Sequence, residues 1–361
     1  MNSVCKWGGS SLSTPRRVYA VAKYIKENNI NIVVLSAPGK ANKKDKKVTD
    51  LLISITKTPK KINDILSKVK NKYLKIITTL KIPFDLDKEL EKIKSHYLKT
   101  FDNSYLISRG EYIMAKIFAK CIGYKFVDSK NLIKFDKGGK LLNSTYTNIK
   151  TQATKHSQIV IPGFYGAYKG KIKVFSRGGS DITGAIVAKA LDVDYYNFTD
   201  VDGIYNHFPL SSKSKKLKTL SYYDMKFLGL FGFSVLHHKC CDILDNTNIK
   251  TFIKSSFEPE KSPTTLHSGI GNIFASSEKE LVLAQSSSDI YEWFLNKKVF
   301  VFLQYRYLNN YFYVIAKNSA LPNGVVATPI LLKAIVSKTP IKNAFCVNNN
   351  HYIQIKKVVK N

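Results

Sequence analysis

The sequence predicts an α/β protein built on a mainly parallel sheet, and three observations carry that reading. Residues 3–7, SVCKW, read as a short strand running into a glycine turn and then a helix. Ile32 to Leu35 is a continuous apolar run, as a buried parallel strand requires. A second glycine turn, Gly178-Gly179, stands between a strand-like segment (171–175) and a helical pattern (182–191), which leads to another strand at 195–199. Strand, turn, helix and strand in alternation point to a layered α/β sandwich.

The elements follow in order. Thr14 is placed to cap a helix with Pro15 at its first position, and Val18, Val21, Ala22 and Ile25 recur at helical spacing. Residues 60–120 are lysine-rich and mostly helical in pattern, with Ile113, Ile117 and Phe118 on the buried side of the last helix. Strands are expected at 124–127 and 158–162. The helix over 182–191 turns Ile182, Ala185 and Ile186 inward. The stretch 209–219, PLSSKSKKLKT, reads as a solvated basic loop, and the composition shift at 255–265, SSFEPEKSPTT, as a domain boundary. Beyond it, strands at 300–304 and 311–316, a helix near 324–336 and strands at 343–347 and 351–358 suggest a small α+β module.

Composition narrows the function. A chain of 361 residues is long enough for two domains, and 44% hydrophobic with 23% charged residues is ordinary for a soluble globular protein. No apolar run of about 18 residues is present, so no membrane span is expected. The start, MNSVCKWGGSS, lacks the apolar core of a signal peptide. Cys5, Cys121, Cys240, Cys241 and Cys346 form no CxxC pair, which argues against a disulfide framework or zinc site and for reduced, cytoplasmic thiols. The net charge of +31 invites a nucleic-acid reading. Yet only Arg16, Arg17, Arg109, Arg177 and Arg306 are arginines, and arginine is the side chain that reads base edges bidentately. Lysine is spread along the chain, and abundant Asn, Ile, Tyr and Phe share its AT-rich codons, so codon bias explains the charge as well as function does and no specific nucleic-acid role is expected. Non-specific adhesion to polyanions remains expected on charge alone.

Four short stretches carry chemistry. Lys6 leaves a strand just before Gly8, Gly9 and Ser10, an arrangement that suits either a polyphosphate cradled by backbone N–H groups or a plain strand-to-helix turn. In Ser176 to Asp181 a second glycine turn opens a helix; Arg177 can fork onto a carboxylate or phosphate, while Asp181 reads as a ligand or as a helix cap. Thr199-Asp200-Val201-Asp202-Gly203 follows a strand at the sheet edge where α/β folds bind ligands, or is simply a tight turn. Glu111, in Ser108-Arg109-Gly110-Glu111, is expected at a helix start, where the dipole favours a carboxylate anyway.

Taken in order, KWGGSS, VVLSAPGK with KVTDLL, SRGE, VIPGFYGA, FSRGGSDITGA, FTDVDGIY and FGFSVLH resemble the aspartokinases, of the amino-acid kinase fold, from about residue 3 to residue 267. The resemblance implies a three-layer amino-acid kinase sandwich over residues 1–262, followed at 263–361 by a reduced ACT-type regulatory and dimerisation region. It implies phosphorylation of the side-chain carboxylate of L-aspartate by ATP, with Mg²⁺ held chiefly by nucleotide and water, and no metal ligands of the chain's own. Carried over residue by residue, Lys6 stabilises the transferring phosphoryl group, and Gly8 and Gly9 supply backbone donors. Ser10, Ser36, Thr49, Glu111, Arg177 and Asp181 surround aspartate, with Arg177 on its α-carboxylate and Glu111 and Asp181 on its ammonium. Ser180, Thr199, Asp200 and Tyr205 line the ATP site. Two rivals stand beside this: a kinase for another acidic amino acid, and a non-catalytic regulatory subunit.

The chain departs from the family in places. The commonest form carries lysine where this chain has Ser234, and arginine where it has Leu210, which puts ATP affinity in question; Lys213 or Lys215 can substitute. His237 and His238 read as structural. After His267 too few residues remain for the family's usual two ACT copies. The second is recognisable in the segment from Asn310 to Lys357. Of the first, residues 280–296 resemble the closing strands, with Gln285 to Asp289 as their signature. GIGNIFASSEK, just before them, is too short for the missing strand, effector loop and helix. A homodimer with weak or absent feedback inhibition by lysine or threonine is therefore expected.

Overall fold

The structure, a computed structural model, describes residues 3–175, 178–208, 212, 214–230 and 235–269, residues 321 and 325, and the strands between 275 and 357 named below. In chain order the elements are β1 (Ser3–Trp7), α1 (Pro15–Glu27), β2 (Ile32–Leu35), α2 (Val48–Lys57), α3 (Ile62–Thr79), α4 (Leu86–Thr100) and α5 (Asn103–Ile122). Then come β3 (Lys125–Phe126), α6 (Ser129–Leu132), α7 (Ser144–Lys155), β4 (Ile159–Pro162), β5 (Tyr165–Tyr168), β6 (Lys171–Val174), α8 (Gly179–Leu191) and β7 (Asp194–Thr199). They are followed by β8 (His207–Phe208), β9 (Thr219–Ser221), α9 (Tyr222–Leu230), α10 (His238–Leu244), β10 (Thr251–Ser255) and β11 (Thr264–His267).

Local chemistry sets many boundaries. The Thr14 hydroxyl accepts the Arg17 N–H at 3.3 Å to open α1, and Asp85 and Asp102 cap α4 and α5 in the same way. Gly123, at φ 74°, ends α5 in the left-handed turn that costs glycine least. Residues 3–269, apart from 205–216 and 223–234, form one compact unit. Its eight-stranded sheet, among the described residues, runs β3-β4-β2-β1-β7-β10-β11-β9 and is parallel except where β10 meets β11.

Alternation along the central strands separates two faces. Cys5 and Trp7 of β1, Val33 and Leu35 of β2 and Phe198 of β7 enter one core with α1 to α5, where Trp7 and Phe198 stack with centroids 4.6 Å apart. The opposite face is covered by α8, which packs on β1, β2 and β7 and is itself flanked by α7 and α10. Three layers result. Lys6 and Asn197, one residue out of step with Trp7 and Phe198, therefore turn toward α8.

The second unit holds residues 205–216, 223–234 and 270–361. Its described strands are β8, β12 (Ala275–Ser286), β13 (Val301–Tyr307), β14 (Asn310–Ala316), β15 (Val326–Val336), β16 (Phe345–Asn348) and β17 (His351–Lys357). They run β13-β14-β12-β15-β17-β16, with β8 parallel to β12. Strands were expected close to four of these positions, but the helix expected near 324–336 is the strand β15. An apolar run alone does not separate helix from strand. Here Val326, Thr328, Ile330, Ile335 and Val336 are β-branched, Pro329 opposes a helix interior, and β12 and β17 offer pairing on both sides. Pro329 lies just before β17 pairing begins at Ile330, where a missing N–H is tolerated. Of the segment 280–296, residues 287–296 lie outside the described residues.

Candidate active site

The loops that follow β1, β2, β4 and β7 meet at the C-terminal edge of the parallel strands. Two of them press backbone to backbone. Gly39 donates its N–H to the Gly9 carbonyl at 2.7 Å, a Cβ on Gly9 would sit 2.6 Å from the Ala37 oxygen, and one on Gly39 would sit 2.7 Å from the Gly9 carbonyl carbon. No side chain fits at either position, which is why both are glycine. The Gly8 N–H is committed to the Phe198 oxygen at 3.1 Å and that of Ser11 to Gly8. A single 3₁₀ turn over Gly9–Leu12 then leaves the amides of Gly9 and Ser10 as first-turn donors. The Ser10 carbonyl accepts from Arg17 and Ser13, which fixes the turn to α1. Ser36 donates its N–H to Trp7.

Lys6 is 6% exposed and forms an ion pair with Asp181 Oδ1 at 2.5 Å. Asp181 lies in the first turn of α8 without capping it; the residue before the helix is Gly178 at φ 78°. A Cβ on Gly178 would stand 2.6 Å from the His237 ring, and His237 itself caps α10 through Nδ1. Ser180 is buried under Gly163, whose N–H is held by Leu35. Thr199 donates to Asp200 at 3.1 Å, and the N–H of Ser256 is anchored on the Thr199 carbonyl.

Glu111 corrects an expectation. It lies inside α5, which begins at Asn103 behind the Asp102 cap, so the helix terminus does not stabilise its charge. Instead α5 presses Gly110 onto Ala37 and Val48, and Glu111 is buried beside the loop that follows β2. A long hydrogen bond donated by the Thr49 hydroxyl reaches Oε1 at 3.5 Å, and the backbone N–H groups of Glu111 itself and of Ala37 lie close enough to favour the charged form. Oε2 is buried without a hydrogen-bond partner. Burial outweighs these bonds and the nearby Arg109 charge and pushes the carboxyl up to about 7.

The structure thus brings Lys6, Gly8, Gly9, Ser10, Ser36, Thr49, Glu111, Ser180, Asp181, Thr199 and Asp200 to one edge of the first unit. Arg177 lies outside the described residues, as do Leu210, Lys213 and Ser234. Tyr205 and Lys215 belong to the second unit. Missed in the sequence was Asn197, a buried polar residue in a central strand that bonds both Lys6 and Asp181. Its polarity between the aromatic residues Tyr196 and Phe198 of the strand DYYNFT is the signal that could have found it. Among the described residues no group of three or more His, Cys, Asp and Glu could hold a metal. Asp200 is the exposed carboxylate at this edge.

A three-layer sandwich with glycine loops converging on a buried lysine–aspartate pair defines a class. The sequence model of the amino acid kinase family matches residues 1–255, and the chain belongs to that family. Within it, aspartokinase 3 of Bacillus subtilis is 32% identical over 283 residues, which cover 72% of this chain and 62% of that one. The chain therefore spans less than two thirds of that relative's length. The aspartate kinase of Clostridium acetobutylicum superposes with a TM-score of 0.84 at 26% identity, covering 98% of this chain and 96% of its own. Escherichia coli aspartokinase III, in complex with aspartate and ADP, shares the fold with a TM-score of 0.79 at 17% identity, over 98% and 96% of the two chains.

Proposed function

We propose that the protein is an aspartate kinase, converting ATP and L-aspartate to ADP and 4-phospho-L-aspartate. The observation that carries this reading is a pair of unlike charged groups beside two loops that press together at Gly9 and Gly39, Lys6 next to Gly8 and Glu111 next to Ala37. On one side stands a lysine fixed by a carboxylate. On the other is a buried carboxylate with a bare oxygen, suited to an ammonium. The aspartokinase relatives, one of them a complex with aspartate and ADP, support the choice of substrates.

In this reading an oxygen of the aspartate side chain attacks the γ-phosphorus in line, the bond to the β,γ-bridging oxygen breaks, and ADP carries that electron pair away. Such a transfer needs positioning and charge neutralisation more than covalent chemistry. Lys6 meets the charge that develops on the moving phosphoryl group, and the Gly9 and Ser10 amides supply donors beside it. Glu111 and Asp181 take the substrate ammonium, Arg177 its α-carboxylate, and Ser10, Ser36 and Thr49 close around it. Ser180, Thr199, Asp200 and Tyr205 receive the nucleotide. Mg²⁺ supplies further neutralisation of the phosphates when bound.

We also read residues 1–262 as the catalytic domain and 263–361 as a reduced ACT-type region that pairs two chains. The product would serve lysine, threonine and methionine synthesis in the cytoplasm, with feedback by lysine or threonine weak or absent. No helix among the described residues is long and apolar enough to cross a membrane. Hydroxamate formation from ATP and aspartate by the purified chain tests the activity, with glutamate as control. Turnover of glutamate in preference to aspartate would overturn the substrate assignment.

A further inference from the structure

Asn197 is 1% exposed in the middle of β7, between β1 and β10, where a polar side chain is costly unless its hydrogen bonds are met. The parallel register sets it directly opposite Lys6. Its Oδ1 accepts from Lys6 Nζ at 3.2 Å, and its Nδ2 donates to Asp181 Oδ1 at 3.4 Å. The orientation of the amide follows from the partners: a lysine ammonium only donates and an ionised carboxylate only accepts, so one placement of oxygen and nitrogen satisfies both. Tyr195, two residues earlier on the same face, adds a bond from its hydroxyl to the Asp181 carbonyl at 3.3 Å.

An ammonium has three N–H bonds. Asp181 takes one from the helix side and Asn197 a second from the strand side, which directs the third. Without Asn197 the ammonium would be held, among the described residues, by Asp181 alone and could swing about that single contact. We infer that Asn197 is a positioning residue for phosphoryl transfer: it aims the Lys6 ammonium and holds the Asp181 carboxylate without touching either substrate. The inference rests on the aspartate kinase reading above. The rival account is a core asparagine whose bonds are merely satisfied.

Two variants separate these. Asn197→Leu keeps the approximate volume and removes both bonds. Asn197→Asp keeps the shape but changes with pH. When its introduced carboxyl is protonated, the hydroxyl donates to Asp181 and the carbonyl accepts from Lys6, as the amide does. When it ionises, two carboxylates face each other and both draw on Lys6. Burial at 1% exposure and the Asp181 charge raise the pH at which this happens, against the lowering effect of the Lys6 ammonium. Of the other groups nearby, burial holds the Cys240 thiol and the Tyr195 hydroxyl well above their ordinary ranges and pushes His237 below its own; Glu111, at about 7, titrates within the same window in every variant, so each variant is compared with wild type at the same pH.

The experiment is the pH profile of kcat at saturating ATP and aspartate, with thermal melting of each variant and wild type alongside at every pH. Asn197→Leu is expected to lose about tenfold or more in kcat with both Michaelis constants within about threefold. Asn197→Asp is expected to approach wild-type kcat at about pH 6.5 and to fall about tenfold relative to wild type by about pH 8.5. A loss independent of pH, or one that tracks the melting temperature, or no loss in either variant, overturns the inference while leaving the kinase reading intact. A wild-type chain that does not turn over aspartate at any pH sinks the kinase reading and this inference with it.

Discussion

Lys6 and Glu111 are both buried charged side chains beside the same glycine loops, yet they are treated in opposite ways. Lys6 has its counter-charge at 2.5 Å and an amide oxygen at 3.2 Å. Glu111 has one long bond to a hydroxyl, backbone N–H groups nearby and an Oε2 without a hydrogen-bond partner. The difference matches what each would have to do. A group that must neutralise a charge forming in the transition state gains from being fixed beforehand. A group that must take up a cationic substrate gains from being left unsatisfied until that cation arrives, because a fully satisfied carboxylate would have to give up bonds in order to bind.

The strongest way to break this comparison is to remove Lys6. Lys6→Ala is expected to lower kcat by about a hundredfold or more, near 3 kcal/mol, with the circular dichroism spectrum unchanged. Turnover within about tenfold of wild type would remove Lys6 from the chemistry.

Glu111 gives the next largest effect, and it is double-edged. Its folded-state carboxyl titrates near 7, above its ordinary range, so between the unfolded and folded values the native state binds the extra proton. Stability therefore declines as pH rises through that window, by about 3 kcal/mol once both states are ionised. Glu111→Gln should be more stable than wild type to urea at about pH 8, with the gain vanishing toward about pH 4.5. The same variant should raise the Michaelis constant for aspartate by about tenfold or more at about pH 8. A variant no more stable than wild type at that pH would mean that Glu111 is not held at a cost.

In the wild type, the proton on Glu111 competes with the substrate ammonium. The Michaelis constant for aspartate is expected to rise as pH falls below about 7, by up to about tenfold per pH unit, and to level off above it. The constant for ATP should stay flat over the same range, and parallel changes in the two would assign the titration elsewhere.

Gly39→Ala acts on both sides at once, because the added methyl meets the Gly9 backbone at 2.7 Å. A loss of about 1–3 kcal/mol in stability is expected, with kcat and aspartate affinity falling together. A change confined to one of them would show that the two loops move independently.

Much of this architecture was open to reading from local chemistry. Thr14 with Pro15, the helical spacing from Val18 to Ile25, and the apolar run from Ile32 to Leu35 each depend on neighbours a few residues away, so pattern and capping rules find them. The glycine loops and the acidic turn could be picked out because bare backbone and paired charges are rare at strand ends. Their joint order, with no one of them sufficient, was enough to name the family.

What only the tertiary structure decided is everything set by distant partners. The periodicity of 326–336 was compatible with a helix, and pairing with β12 and β17 made it a strand. Glu111 looked like a helix-start carboxylate; α5 in fact begins eight residues earlier, and its packing against Ala37 and Val48 buried the group. Asn197 stands out locally only as a polar residue among strand aromatics; what it bonds could not be read, because its partners lie 191 residues before it and on the opposing helix. Propensity and capping act within a turn or two of chain, whereas burial and charge pairing are properties of the assembled interior. The sequence by itself therefore determined the order of elements and the chemical types at the site. The packing of β1, β7, α5 and α8 determined which charge is paired and which is left waiting.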